Sequence, residues 1–201
     1  MGERLRQLLV YDSDLIAPAD RAAALDAVFN DHENPQSVTY VVDREIRHRM
    51  SMVDLGPGVH VLRNTGTGLC VVRSARHIAQ GAPEQFAMFM PVRGAGLLTT
   101  AEGAGLTEPG QVTLIDTSRP YTYRQSAVSD NKVVIFDPGL LDLPVDVIRE
   151  AAPFLPASPV YPLVRARRAL PHHHRTAGRG GAGGRAGHRP TRTGAGDHGA
   201  R

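Results

Sequence analysis

The side chains that could do chemistry are few and dispersed. A metal-dependent reaction needs two or three imidazoles and a carboxylate converging on one ion. His48 and His77 each stand beside arginines, in "RHRM" and "ARHI". Only His60 falls within a strand-like run, and no HxH or HxxxE pattern groups the three. A lone strand histidine is more often a hydrogen-bonded structural residue than a ligand. Serines are sparse, with no GxSxG turn and no base at a recognisable offset. The stretch "GAGLLTTAEGAG" lacks the Lys-Ser/Thr of a phosphate loop, and hairpin turns account for its glycines. The run His172-His173-His174 has no ligand spacing around it. The single cysteine, Cys70, has no second thiol to pair with and reads as a buried apolar residue. These residues predict no catalytic group, no metal site and no cofactor, and so a binding protein rather than an enzyme.

The densest polar group is in "EPGQVTLIDTSRPYTYR", residues 108 to 124. Pro120 bars Arg119 from helical conformation and fixes the next φ, so Asp116, Ser118, Arg119 and Pro120 define a corner between two strands. Asp116 and Ser118 can bond turn amides or the Arg119 guanidinium. A guanidinium forks well onto a carboxylate, which makes Arg119 the candidate contact for an anionic ligand. Nearby, "FAMFMPV" places Phe86, Met88, Met90 and Val92 on one strand face and Ala87, Phe89 and Pro91 on the other, while Tyr121 and Tyr123 share a side. His60, Met88, Met90 and Tyr123 combine apolar walls with polar tips and are the pocket candidates. Core packing is the competing explanation for each.

The elements that must position these groups are mostly strands. "APADRAAALDAVFNDH" offers Pro18 and Asp20 to open a helix over 18–31, with Ala22, Leu25, Val28 and Phe29 three and four apart. Short β-branched or aromatic runs then follow at 37–42, 50–55, 59–64, 69–73, 85–92, 96–100, 112–116, 121–125 and 132–136, separated by Gly, Pro, Asn and Asp. Ser129-Asp130-Asn131 reads as one of these turns. A helical turn around Val145 and Ile148 follows, and then a helix opened by Ser158 and Pro159 and ended by Pro171. Strands this short and this closely spaced predict a mainly β sandwich or barrel.

The chain has 201 residues, 41% of them hydrophobic, enough for one core. Its net charge of +3 is unevenly distributed: nine of the 22 arginines and only one acid lie in 165–201, leaving 14 basic groups against 19 acids in the first 164 residues. After Leu170 no Val, Ile, Leu, Met, Phe, Tyr, Trp or Cys occurs, so a disordered Arg/Gly-rich tail is expected at 166–201 beyond a folded domain at 1–165. Its Ala, Arg, Gly, Pro and His vocabulary is what a GC-rich message yields when read out of frame. A genuine arm held to nucleic acid by counterion release is the alternative. No apolar window is long enough to span a membrane and no signal peptide opens the chain, which predicts a cytoplasmic protein.

In order, "RSARHI", a strand ending in "MPVRGAG", a hairpin, "EPGQVTLIDTSRPYTYR" and "KVVIFDPGLLDLP" make residues 15–165 resemble the N-terminal ligand-binding domain of AraC-type transcriptional regulators. Gln111 departs from the acid that the family usually carries after Pro-Gly. The resemblance implies a cupin-like β-barrel or jelly roll that senses a small-molecule effector. It also implies pairing as a homodimer or with intact paralogues. The helix-turn-helix units of such regulators have no counterpart in this sequence, so no sequence-specific nucleic-acid contact is expected and the chain reads as a truncated regulator. A stand-alone cupin-type enzyme or small-molecule-binding protein is the rival.

Overall fold

The computed structural model describes residues 7–30, 35–41, 45–81 and 83–162. Among them the chain forms eleven strands: β1 Gln7–Asp12, β2 Ser37–Tyr40, β3 His48–Gly56, β4 Val59–Thr67, β5 Leu69–Arg73, β6 Phe86–Arg93, β7 Gly96–Thr100, β8 Gly103–Thr107, β9 Thr113–Asp116, β10 Tyr121–Gln125 and β11 Val128–Phe136. The helices are α1 Arg21–Asn30, α2 Ala75–Ile78 and α3 Val145–Ala151, with short 3-10 turns at Ser13–Leu15, Pro138–Leu141 and Ala152–Ala157. None of these is long and apolar enough to cross a membrane.

Strand order is β1-β3-β4-β11-β6-β9 in one sheet and β2-β5-β10-β7-β8 in the other. Every pairing is antiparallel. The inner faces meet in one core, where Met50, Ala87, Phe89, Ile115 and Val133 of the first sheet pack on Leu69, Val71, Tyr121 and Tyr123 of the second. This is the mainly β arrangement of two facing sheets that was expected. Side-chain alternation makes it possible: on β6 the odd positions 87 and 89 point inward and the even ones outward. A second, smaller cluster lies on the outer face, where Phe86 and Phe136 are covered by Ile148 of α3 and flanked by Met88, Leu114 and Val145.

Helix α1 closes one side of the core with Leu25, which is fully buried and contributes roughly 1.5–3 kcal/mol by that burial. Two polar ties fix it. Arg21 donates to Ile16 O at 3.1 Å and Ile46 O at 2.9 Å, and Asp26 accepts the Val38 amide at 3.0 Å. The helix starts three residues later than expected because Pro18 and Asp20 lie in the turn before it, with Asp20 O accepting Ala24 N at 2.9 Å.

Strands β5, β7 and β10 coincide with their expected bounds. Strands β1 and β8 were not expected, and β11 starts earlier than expected. Ser129-Asp130-Asn131 is not a turn: β11 runs through it, and the pairing with β6 shifts register between Asp130 and Asn131, a bulge that absorbs the turn-like residues. The turn between β3 and β4 does form at Gly56-Pro57-Gly58, where φ is +125° and +74° at the two glycines. At the other end Ser158 Oγ accepts Val160 N at 3.4 Å, as a cap would, but the helical conformation begins at Tyr161. The remainder of that helix, the tail at 166–201 and His172-His173-His174 lie outside the described residues.

Candidate functional site

Between β9 and β10 the chain turns at 117–119, and the turn is anchored from distant parts of the chain. Asp116 Oδ1 accepts the Ser118 amide at 2.9 Å and the Ser118 hydroxyl at 2.6 Å, and Arg119 N donates to Asp116 O at 3.3 Å. Thr117, fully buried, donates from N and Oγ1 to Gln85 O at 3.0 and 2.8 Å. Arg73, only 1% exposed at the end of β5, donates through Nε to Thr117 O and through Nη1 to Pro35 O at 2.6 Å. The corner is therefore held to both sheets.

Above it sits α3. Arg149 donates through Nε to Asp116 Oδ2 at 2.7 Å and through Nη2 to Ser118 Oγ at 3.2 Å and Glu84 at 2.9 Å; Nη1 donates to Asp146 at 3.0 Å. Arg119 reaches Glu102 at 3.1 Å and Asp116 at 3.5 Å. Burial alone would raise the Asp116 carboxyl, but the hydrogen bonds from Ser118 and Arg149 outweigh it and hold the group below its ordinary value. The hydrogen bond to Asp116 in turn raises Arg149 further above the ordinary guanidinium value.

Beside this network lies a cleft of about 700 Å³. One wall is β9, the free edge of the first sheet. The other is β7 of the facing sheet, contributing Leu98 and Thr100. Asp146, Arg149 and Glu150 of α3 with Pro153 and Pro156 complete it, and Leu98, Val112, Leu114 and Ile115 make it apolar inside. Asp116, Arg119 and Pro120 line the rim, and Ser118 Oγ donates to Asp116 and accepts from Arg149. A cleft of this volume, apolar inside with charged groups at its mouth, has room for a small molecule.

The structure does not bring the four pocket candidates together. Tyr123 faces the inner core, its ring 4.1 Å from that of Phe89 between centroids. Met88 belongs to the outer cluster under α3, and Met90 shares its face by strand alternation, so a sheet separates both from Tyr123. His60 lies on β4 opposite Ile135, with Nδ1 3.8 Å from Asp54 Oδ1. None of the four lines the cleft. The residues that do, Leu98, Ile115, Glu102 and Arg149, carry no local signal: their neighbours come from strands and a helix far along the chain.

His48, His60 and His77 stand on β3, β4 and α2. In the β3–β4 register His48 pairs with Gly66 and His60 with Asp54, placing these two imidazoles six residues, or roughly 20 Å, apart along the sheet. Among the described residues no three His, Cys, Asp or Glu side chains form a group able to hold a metal.

No curated protein sequence matches this chain. Among solved structures, the AraC-like transcriptional activator CuxR superposes with a TM-score of 0.52 at 12% identity, over 82% of this chain and 66% of that one. The likeness is one of fold, and the chain spans 66% of the activator's length. An RmlC-like cupin from Desulfovibrio desulfuricans gives 0.35 at 16% identity, over 49% of this chain and 94% of that one. A cupin superfamily protein from Desulfitobacterium hafniense gives 0.36 at 10%, over 48% and 82%. The family model of the AraC-binding-like domain matches residues 34–193, which include β2 to β11, the corner and α3. On that match over most of its length, the chain belongs to the AraC-binding-like domain family.

Proposed function

We propose that this protein is an effector-sensing regulatory domain whose small-molecule ligand enters the cleft between β7 and β9. One observation carries the reading: Arg149 of α3 and Asp116 of the corner meet at 2.7 Å on the rim of a 700 Å³ cleft. A guest filling that cleft touches the barrel wall and α3 at once. Its presence therefore biases how α3 is held, and with it whatever the chain beyond α3 contacts, a second copy or an intact paralogue.

The cleft also indicates the kind of guest. Its interior is aliphatic, and both rim guanidiniums already face carboxylates: Arg119 faces Glu102 and Asp116, and Arg149 faces Asp116, Glu84 and Asp146. An anionic effector gripped by Arg119 must displace a carboxylate to bind. An effector with an apolar body and a polar end that joins these ion pairs binds without that cost. We assign the protein no catalytic step and place it in the cytoplasm with the regulators that its family serves.

The reading is tested by thermal-shift titration with a panel of small aromatic and aliphatic acids and amines, run on the wild type and on Leu98→Trp, which fills the cleft. Saturable stabilisation of the wild type that disappears in the variant supports it. Stabilisation that persists unchanged in a folded Leu98→Trp protein removes the cleft as the effector site.

A further inference from the structure

The mouth of the cleft between β7 and β9 is charged unevenly. Four carboxylates line it, those of Glu102, Asp116, Asp146 and Glu150, against the two guanidiniums of Arg119 and Arg149, a formal excess of two negative charges. Glu84, outside the lining, adds a further acid 2.9 Å from Arg149. The rest of the folded chain has the same sign, since acids outnumber basic groups by 19 to 14 in the first 164 residues. Low-dielectric walls focus such a field at the opening of a cleft and concentrate ions of opposite charge there.

Neither guanidinium is free to take an anion. All three side-chain nitrogens of Arg149 already donate: Nε to Asp116, Nη1 to Asp146, and Nη2 to Glu84 and Ser118. Arg119 faces both Glu102 and Asp116. A guest carboxylate therefore meets an excess of like charge and must break an existing ion pair to find a partner. A guest cation meets the opposite situation. Two guanidiniums are shared among Glu84, Glu102, Asp116 and Asp146, and Glu150, next to Arg149 on α3, pairs with no cation among the described residues. An ammonium, which only donates, bonds to a carboxylate there without displacing anything, and the apolar body that carries it fits the aliphatic interior.

We propose that the effector is an organic cation, an amine that is charged at neutral pH, whose ammonium pairs with Glu150 at the mouth while its apolar body fills the interior of the cleft. The assignment rests on the cleft as the effector site and adds the charge of the guest to it. Glu150 is the residue that selects for that charge. Because it stands on α3 beside Arg149, an ammonium held there touches the same helix turn that binds the corner.

The test is isothermal titration calorimetry on the full chain with three probes that share one cyclohexyl body: cyclohexylmethylamine, cyclohexylmethanol and cyclohexanecarboxylate. The amine should bind saturably and at least tenfold more tightly than the other two. Its affinity should fall about threefold in Glu150→Gln, further in Glu150→Lys, and again as NaCl is raised from about 0.05 to about 0.5 M, while that of the alcohol stays constant. Leu98→Trp should abolish binding of the amine. Absence of amine binding overturns the proposal, as does amine affinity that is unchanged in the folded Glu150 variants. Equal binding of all three probes that Leu98→Trp abolishes overturns the cation and keeps the cleft. Amine binding that Glu150→Lys weakens and Leu98→Trp leaves intact removes the cleft, and this assignment with it.

Discussion

Arg149 Nε lies 2.7 Å from Asp116 Oδ2, joining α3 to the end of β9. Thirty-three residues of chain separate the two, and in the folded protein they share one side of the cleft. The pair couples the guest's position to α3, and its strength is measurable.

Asp116→Asn keeps the shape of the corner but removes the charge that meets Arg149. A buried hydrogen bond to a charged group contributes about 1.5–3 kcal/mol, so urea unfolding should show a loss of that order. Arg149→Met should cost about 1 kcal/mol, because part of its network is exposed. The double variant should cost less than the two losses together, and strict additivity would show that the contact does not couple α3 to the corner.

Burial pushes the His48 imidazole down from 6.5 to about 4, against a smaller opposing contribution from Thr67 O. A folded-state value below the unfolded one means that the unfolded chain binds the extra proton. The stabilisation is therefore complete above pH 6.5 and is lost as pH falls from 6.5 towards 4, by up to about 3 kcal/mol. Denaturant midpoints measured at intervals across that window should fall in the wild type and flatten in His48→Gln. Asp116, held below its ordinary 3.8, adds a separate loss only at lower pH.

Tyr123 buries its hydroxyl without a partner against Gly96. Tyr123→Phe should therefore leave stability unchanged or raise it by about 1 kcal/mol, since an unpaired buried polar group costs stability. Gly96→Ala should do the reverse. A Cβ at that position would overlap the Tyr123 hydroxyl and ring, and overpacking of this kind costs about 1–3 kcal/mol. Thermal melts of both variants decide it, and in the double variant Tyr123→Phe should relieve part of the Gly96→Ala loss.

How much was readable beforehand depended on how local the cause is. The corner was legible because Pro120, Asp116 and Ser118 set their own backbone within five residues. Strands β5, β7 and β10 were legible because β-branched and aromatic runs end at turn residues. Strand β8, "GAGLT", was not: glycine and alanine have little intrinsic strand preference, and pairing with β7 supplies what the residues lack. Alternation sorted Met88 from Phe89 correctly, yet it could not say which face was inner. That is decided by α3, whose Ile148 covers Phe86 and turns the Met88 side into a second, outer core. Arg149 escaped detection for the same reason, since its partners Glu84 and Asp116 are 65 and 33 residues away.

The most direct measurement is methyl NMR of the full chain titrated with the effector found by thermal shift, with Leu98, Val112, Leu114 and Ile115 assigned. The account predicts saturable shifts concentrated at these four, accompanied by movement of the Arg149 Nε resonance as the contact with Asp116 adjusts. Saturable binding that leaves all four methyls and Arg149 unmoved would contradict it.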